Sequence, residues 1–101
     1  MSEPFSAEDA VRWTGGELVR GGPDRSFASV TIDSRNVPAG SLFVAIAGAR
    51  FDGHDFLDDA LRAGANGFLV RVGRKAPEGA ACVIAVEDTT RALCAIAAGA
   101  C

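Results

Sequence analysis

The chain has 101 residues, 49% of them hydrophobic and 23% charged, with a formal net charge of −3 at pH 7. This length and composition predict one domain with its own core, and the slight acidic balance provides no basic face for nucleic acid. Apolar runs such as 41–47 are far shorter than the roughly 20 residues that span a bilayer. Residues 1–14 carry acids where a signal peptide would carry bases. We therefore expect a cytoplasmic, monomeric protein that binds neither nucleic acid nor a membrane.

The first half of the chain predicts one helix and three strands. Ser6 is a suitable N-cap for a short helix that ends at Gly15, and residues 17–20 follow as a short strand. Apolar residues alternate over 27–32, which is typical of a half-buried strand, whereas the continuous apolar run 42–46 is typical of a strand buried on both faces. Because few residues connect these two strands, we expect them to pair antiparallel, or to be neighbours through a wider loop.

The second half predicts two helices and two strands. Apolar residues at helical spacing predict a helix of about three turns over 55–64. The segments 67–72 and 82–86 are typical of buried strands, and Asp88 or Thr89 caps a last helix. Strands that alternate with helices indicate an α/β fold: a single small domain with a mixed β-sheet flanked by helices.

The cysteines indicate neither a disulfide framework nor a zinc site. Cys82, Cys94 and Cys101 are an odd number, and none lies in a C-x-x-C pair. Cys82 lies in an apolar run and Cys94 on an expected apolar helix face, so both are predicted to pack as small hydrophobic residues. Cys101 directly follows an alanine-rich helical pattern, which suggests a fragment of a longer chain.

Polar side chains that could bind a ligand concentrate in residues 31–56. Residues 33–35, with the sequence DSR, end one predicted strand, and Arg50, Asp52 and His54 lie in a glycine-bounded loop after the next. Loops at strand ends are exposed while the strands hold them rigid, so this stretch is the candidate site.

Known catalytic motifs do not occur in the sequence. His54 is the only histidine and could reach Ser34, but no G-x-S-x-G turn accompanies it, and a lone loop histidine is more typical of a hydrogen-bonding role. Asp58 and Asp59 are adjacent on a predicted helix, where neighbouring side chains diverge. Neither G-x-x-x-x-G-K-[ST] nor G-x-G-x-x-G is present, so the chain has no phosphate loop.

Recognition of an anionic small molecule is the remaining hypothesis. Arg35 and Arg50 supply two guanidinium forks that suit phosphate, and Asp33 and Ser34 supply an acceptor and a donor. An alternative fits the residues equally well: Asp33 and Ser34 form an ordinary Asx turn while Arg35 pairs with Asp52 on the surface. The residues alone leave both possibilities open.

The order of the short motifs resembles the N-terminal domain of the Mur ligases, which build the peptidoglycan precursor. The resemblance covers most of the chain: TGGELV after the opening helix, IDSR at 32–35, PAGSLFVAIAG at 38–48, RFDGHDF at 50–56 and VEDTTRAL at 86–93. In this order the motifs are specific, whereas DSR alone would be weak. RFDGHDF and the opening segment favour the members that add D-Ala-D-Ala (MurF). DSR and D-G-H-x-F are shared with the members that add the third peptide residue (MurE).

The resemblance implies that this domain binds the UDP part of a UDP-N-acetylmuramoyl-peptide. It implies that residues 1–101 are the N-terminal domain, and that a central domain binding ATP and magnesium and a C-terminal domain lie outside the chain. The residues that it assigns to the uridine diphosphate pocket or its border are Ser34, Arg35, Gly48, Arg50, Phe51, Asp52 and His54. We expect no catalytic residue, metal or cofactor in this chain, and no activity from it alone. An alternative function of a different class is that of a free-standing, non-catalytic interaction module with the same fold.

Overall fold

The computed structural model describes residues 4–48, 50 and 52–100, which form strands interspersed with helices. The strands are β1 (Phe5–Ser6), β2 (Glu17–Arg20), β3 (Ser26–Phe27), β4 (Ser29–Thr31), β5 (Ser41–Val44), β6 (Gly67–Arg71) and β7 (Val83–Val86). The helices are α1 (Ala7–Thr14), α2 (Leu57–Arg62) and α3 (Thr89–Ala100), and a 3₁₀ helix (Gly53–Phe56) leads into α2. None of the described helices is long and apolar enough to cross a membrane.

A mixed, five-stranded sheet forms the centre of the domain, in the order β2-β7-β6-β5-β4. Strands β4 to β7 are parallel, and β2 pairs antiparallel with β7 at one edge. The short strands β1 and β3 form a separate antiparallel pair. The predicted α/β domain with a mixed sheet flanked by helices is therefore confirmed.

Apolar side chains cover both faces of this sheet. Leu42 and Leu69 point to the face that α1 and α3 cover, whereas the neighbouring Phe43 and Phe68 point to the face that α2 covers. The rings of Phe43 and Phe68 meet edge to face with centroids 6.3 Å apart. This two-sided burial explains why β5 and β6 are continuous apolar runs, as predicted for strands buried on both faces.

The helix caps agree with the sequence. The Ser6 hydroxyl accepts the Asp9 backbone N–H at 3.1 Å, and the Asp9 carboxylate accepts the Ser6 N–H at 3.0 Å. Gly15, with φ at 72°, ends α1 in the left-handed conformation. Asp88 caps α3 by accepting two backbone N–H groups of the first turn.

Two arrangements were predicted for the strands around residues 27–32 and 42–46. The antiparallel pair is wrong, whereas the alternative, neighbouring strands joined by a wider loop, is confirmed. β4 and β5 are parallel, with Ser29 opposite Ser41 and Thr31 opposite Phe43. The loop 32–40 returns the chain to the start of β4 without a helix, and there the Ala28 N–H donates to the Gly40 carbonyl at 2.9 Å. This tight return permits a parallel pair across a connection shorter than the roughly dozen residues usually required.

Three further predictions need correction. The predicted strand 27–32 is divided between β3 and β4, and Ile32 is 52% exposed. The predicted helix 55–64 is shortened because the chain first forms the 3₁₀ helix, which leaves Phe56 37% exposed. Cys94 is exposed, since α3 packs through Ala92 and Ile96, and a residue midway between those two points away from the sheet.

Candidate functional site

The carboxyl ends of β4 and β5 lie side by side at one edge of the sheet, because the two strands are parallel. Residues 33–35 follow β4 there, and the segment 45–53 follows β5. This edge borders a surface cavity of about 670 Å³, a volume that is usual for small-molecule sites. Three chain segments line it, with the residues Ile32, Asp33, Ser34, Arg35, Gly53, Phe56 and Asp59.

Asp33 shapes the turn that presents Arg35 to the cavity. One Asp33 carboxylate oxygen accepts the Arg35 backbone N–H at 2.9 Å and the Arg35 Nε–H at 3.1 Å. Hydrogen bonds from Arg35, first from its side chain and then from its backbone, lower the pKa of Asp33. The Asx turn is therefore confirmed, whereas the predicted pair between Arg35 and Asp52 is wrong.

The Arg35 guanidinium remains accessible in spite of this ion pair. Its side chain is 89% exposed and that of Asp33 is 44% exposed. An ion pair so open to water contributes little to stability, so the guanidinium can turn toward an anionic ligand at small cost. The other carboxylate of the cavity wall, Asp59, also has an arginine partner, Arg62 in the next turn of α2. Both wall carboxylates are thus paired with an arginine.

The loop that follows Ile46, here called the β5 loop (residues 47–52), is closed where its two ends meet. Ala47 and Asp52 form an antiparallel bridge, and the Gly53 N–H donates to the Ile46 carbonyl at 2.7 Å. A Cβ atom at Gly53 would lie 2.7 Å from the Ile46 nitrogen, which is closer than real Cβ contacts come. Glycine is therefore required at position 53 for the loop to close against the end of β5.

Gly48 and Arg50 lie in this loop, and both are exposed. Phe51 was also predicted as a site residue, and it lies outside the described residues. Because the loop closes beside Gly53, which lines the cavity, its base lies next to the wall of the candidate site. The loop and the DSR turn therefore approach the same edge of the sheet from two adjacent strands.

Asp52 is the centre of a hydrogen-bond network behind this loop. Its Oδ1 accepts the His54 backbone N–H at 3.0 Å and lies 2.6 Å from His54 Nδ1, while its Oδ2 accepts from Arg74 Nη1 at 2.7 Å. These hydrogen bonds, first from the His54 backbone and then from Arg74, hold the pKa of Asp52 far below its usual range. Asp52 is therefore ionised and serves as a structural acceptor.

The His54 imidazole is engaged at both nitrogens. Nε2 accepts the Arg71 backbone N–H at 3.0 Å, so the proton of the neutral ring is on Nδ1, which donates to Asp52. The side chain is almost completely buried, with 1% of its surface exposed. His54 thus has the hydrogen-bonding role that is typical of a lone loop histidine, and neither nitrogen is free to act as a base on Ser34.

The structure shows site features that the sequence reasoning missed. Ile32 and Phe56 form apolar parts of the cavity wall, and neither was among the predicted site residues, although both lie within the candidate stretch 31–56. Arg71 and Arg74 join the network from the end of β6, and no local signal connects them to residues 52–54. Among the described residues, no group of three or more His, Cys, Asp or Glu side chains could hold a metal ion.

Comparisons with known proteins agree with the motif order. A family model described as "Mur ligase family, catalytic domain" matches residues 26–100. The chain is 46% identical over 66 residues to the UDP-N-acetylmuramoyl-L-alanyl-D-glutamate–2,6-diaminopimelate ligase of Aquifex aeolicus, covering 63% of this chain and 13% of that protein. It is 49% identical over 49 residues to the UDP-N-acetylmuramoyl-tripeptide–D-alanyl-D-alanine ligase of Escherichia coli, covering 48% of this chain and 11% of that protein.

Solved structures show the same fold as part of much longer chains. MurF from Acinetobacter baumannii superposes with a TM-score of 0.83 at 26% identity, covering 97% of this chain and 21% of the solved chain. MurF from Thermotoga maritima, solved in complex with ADP, gives a TM-score of 0.56 at 38% identity, covering 64% of this chain and 14% of the solved chain. The present chain thus spans less than a quarter of the length of each relative described.

Proposed function

The chain belongs to the Mur ligase family, and we propose that it is the substrate-recognition domain of an ATP-dependent peptidoglycan-precursor ligase. Its ligand would be the UDP part of a UDP-N-acetylmuramoyl-peptide, bound in the cytoplasm. The observation that carries this proposal is the cavity where the DSR turn and the base of the β5 loop meet at the ends of two parallel strands.

The chemistry of the cavity suits a uridine diphosphate. Ile32 and Phe56 provide apolar surface against which a flat base can lie, and the half-buried Ser34 provides a hydroxyl donor or acceptor. Arg35 at the cavity wall and Arg50 in the β5 loop provide guanidinium groups, which bind phosphate through paired, charge-assisted hydrogen bonds. In this proposal Gly48 and Phe51 contribute loop contacts, while Asp52 and His54 hold the loop from behind.

An NMR titration of the ¹⁵N-labelled chain tests this assignment. With UDP-N-acetylmuramoyl-peptide we expect the amides of residues 33–35 and 48–53 to shift, while those of α1 and α3 stay in place. A second comparison sets UDP against adenosine diphosphate, since these two nucleotides carry the same terminal diphosphate on different bases. Shifts that are absent from a folded chain, or equal for these two nucleotides, would contradict the proposed recognition of a uridine nucleotide.

For the complete ligase we propose the addition of D-Ala-D-Ala to a UDP-N-acetylmuramoyl-tripeptide. The fold of the A. baumannii MurF, which matches 97% of the chain, supports this assignment. The MurE-type reaction, which adds the third peptide residue, is the second candidate, because several of the similar sequences are 2,6-diaminopimelate ligases. Assays of the full-length ligase with each pair of substrates distinguish the two.

ATP and magnesium would be used by domains outside residues 1–101. The chain covers 13% of the A. aeolicus ligase and 21% of the A. baumannii MurF, and its sequence contains no phosphate loop. We therefore expect the isolated chain to release no phosphate from ATP and to form no amide, whatever precursor is supplied. Phosphate release above that of a control protein without a phosphate loop would contradict the assignment of ATP chemistry to the other domains.

A free-standing interaction module remains the alternative from another class. The coding sequence that follows Cys101 in the native gene distinguishes it from a ligase domain. A glycine-rich G-K-[ST] loop within the next few tens of codons supports the ligase, whereas a stop codon directly after Cys101 contradicts it.

A further inference from the structure

Two contacts join the end of the β5 loop to the end of β6. Arg74 Nη1 donates to Asp52 Oδ2 at 2.7 Å, and the Arg71 backbone N–H donates to His54 Nε2 at 3.0 Å. A tight turn after β6 brings these two donors together, because the Arg74 N–H donates to the Arg71 carbonyl at 3.0 Å. The end of β6, the strand that neighbours β5 on the side opposite β4, therefore supports the loop.

We propose that Arg74 is a positioning residue for the candidate site, acting through Asp52 on the β5 loop. The inference rests on the proposed function, because it assumes that this loop contacts the nucleotide. Asp52 is the last residue of the loop and is bridged to Ala47, the first, so a carboxylate fixed by Arg74 fixes both ends of the loop. Arg50 between them then samples fewer directions before the ligand binds, which reduces the entropy lost on binding.

The location of Arg74 separates this role from direct ligand binding. Arg74 borders a different surface groove, together with Val72 and Lys75, whereas the candidate cavity is lined from residues 32–35, 53, 56 and 59. The ion pair is also partly open to water, with 41% of the Arg74 side chain and 29% of the Asp52 side chain exposed. An ion pair of this kind adds little to global stability, so its removal should affect the loop more than the fold.

The chain offers a matched control for this ion pair. Arg12 donates to Asp9 at the same distance, 2.7 Å, and the Asp9 side chain is 31% exposed, close to the value for Asp52. That pair lies on α1, away from the loop. Arg12→Ala therefore removes an equivalent surface ion pair without touching the candidate site.

The experiment compares Arg74→Ala, Arg74→Lys, Arg35→Ala and Arg12→Ala with the parent 101-residue chain, by calorimetric titration with UDP-N-acetylmuramoyl-peptide and by thermal melts. We expect Arg74→Ala to weaken affinity roughly two- to tenfold, which corresponds to the cost of ordering a flexible segment on binding. Arg74→Lys should recover part of this loss, and Arg74→Ala and Arg12→Ala should have similar melting temperatures. Amide hydrogen exchange in residues 48–53 should accelerate in Arg74→Ala and stay unchanged in Arg12→Ala.

The possible failures can be told apart. If Arg74→Ala binds as tightly as the parent while Arg35→Ala binds more weakly, the positioning role is overturned and the proposed function stands. If Arg74→Ala and Arg12→Ala lose affinity equally, Arg74 has no special connection to the loop, and the inference is again overturned. If the folded parent binds no uridine nucleotide, the proposed function fails and the positioning role fails with it.

Discussion

Asp52 and His54 are joined by two hydrogen bonds to one carboxylate oxygen, at 3.0 Å from the His54 backbone N–H and 2.6 Å from its Nδ1. The opposite nitrogen of the ring accepts the Arg71 N–H, so the imidazole links the β5 loop to the end of β6. This arrangement makes His54 a framework residue behind the candidate site. It also explains how a lone, buried histidine is fully satisfied without a ligand.

We expect His54→Ala to destabilise the chain by about 1–3 kcal/mol, because it leaves the partly buried Arg71 N–H without an acceptor and removes the imidazole hydrogen bond to Asp52, which retains the backbone N–H of position 54 and Arg74 as donors. Urea unfolding followed by circular dichroism measures this change. His54→Gln is the control, since its amide retains both an acceptor and a donor and should recover part of the loss. An alanine variant as stable as the parent would show that the imidazole does not support the loop.

Because Asp52 is ionised in the folded chain, the free energy of unfolding should depend on pH in the acidic range. Hydrogen bonds from the His54 backbone and from Arg74 hold the pKa of Asp52 below its unfolded value of about 3.9. The folded carboxylate therefore contributes stability that is fully present above about pH 4 and is lost as the pH falls through the folded pKa. Asp52→Asn should lower stability at pH 7 and flatten its decline toward low pH.

Urea unfolding at a series of pH values between neutral and strongly acidic tests this prediction. Asp24→Asn is the control, because Asp24 is exposed in the turn before β3. Parallel stability curves for the parent and Asp52→Asn would contradict the assigned role of the carboxylate.

Gly53→Ala should damage both the fold and the candidate site. The added Cβ would lie 2.7 Å from the Ile46 nitrogen, and the loop would have to move away from the end of β5. Forced packing of this kind costs about 1–3 kcal/mol. We expect lower stability in urea and weaker binding of the UDP ligand.

Gly79→Ala provides the comparison for that variant. There the new Cβ would meet only Leu61 Cδ2, at 3.2 Å, and that side chain can move by a few tenths of an ångström. If both alanine variants behave alike, the close approach at Gly53 does not determine the loop.

Local features of this fold were predictable because they depend on neighbouring residues. The cap at Ser6, the stop at Gly15 and the buried run of β5 follow from hydrogen bonding and apolar periodicity within a few positions. The Asx turn at Asp33 also depends on residues only two positions apart, and it was one of the two interpretations that the sequence allowed. These features can therefore be predicted without knowing the order or direction of the strands in the sheet.

The pairing of β4 with β5 was not predictable from length alone. A short connection usually indicates an antiparallel pair. Here the loop 32–40 brings Gly40 back to Ala28, just before β4, so that β5 starts beside β4 and runs parallel to it. This outcome matters for the site, because only a parallel pair places the DSR turn and the β5 loop at the same edge. The contribution of Arg74 was equally hidden, since sheet order alone brings it to Asp52.

The most direct test is a calorimetric titration of the parent, Arg35→Ala, Arg50→Ala and the control Arg12→Ala with UDP-N-acetylmuramoyl-peptide. Charge-assisted hydrogen bonds contribute about 1.5–3 kcal/mol each, so Arg35→Ala and Arg50→Ala should each weaken affinity roughly tenfold to over a hundredfold. Lysine at either position should rescue only part of the loss, because it retains the charge without the fork. Arg12→Ala should bind as the parent does, and thermal melts should show every variant folded. If neither Arg35→Ala nor Arg50→Ala loses affinity, or if the folded parent binds no uridine nucleotide, this edge of the sheet is not a uridine diphosphate site.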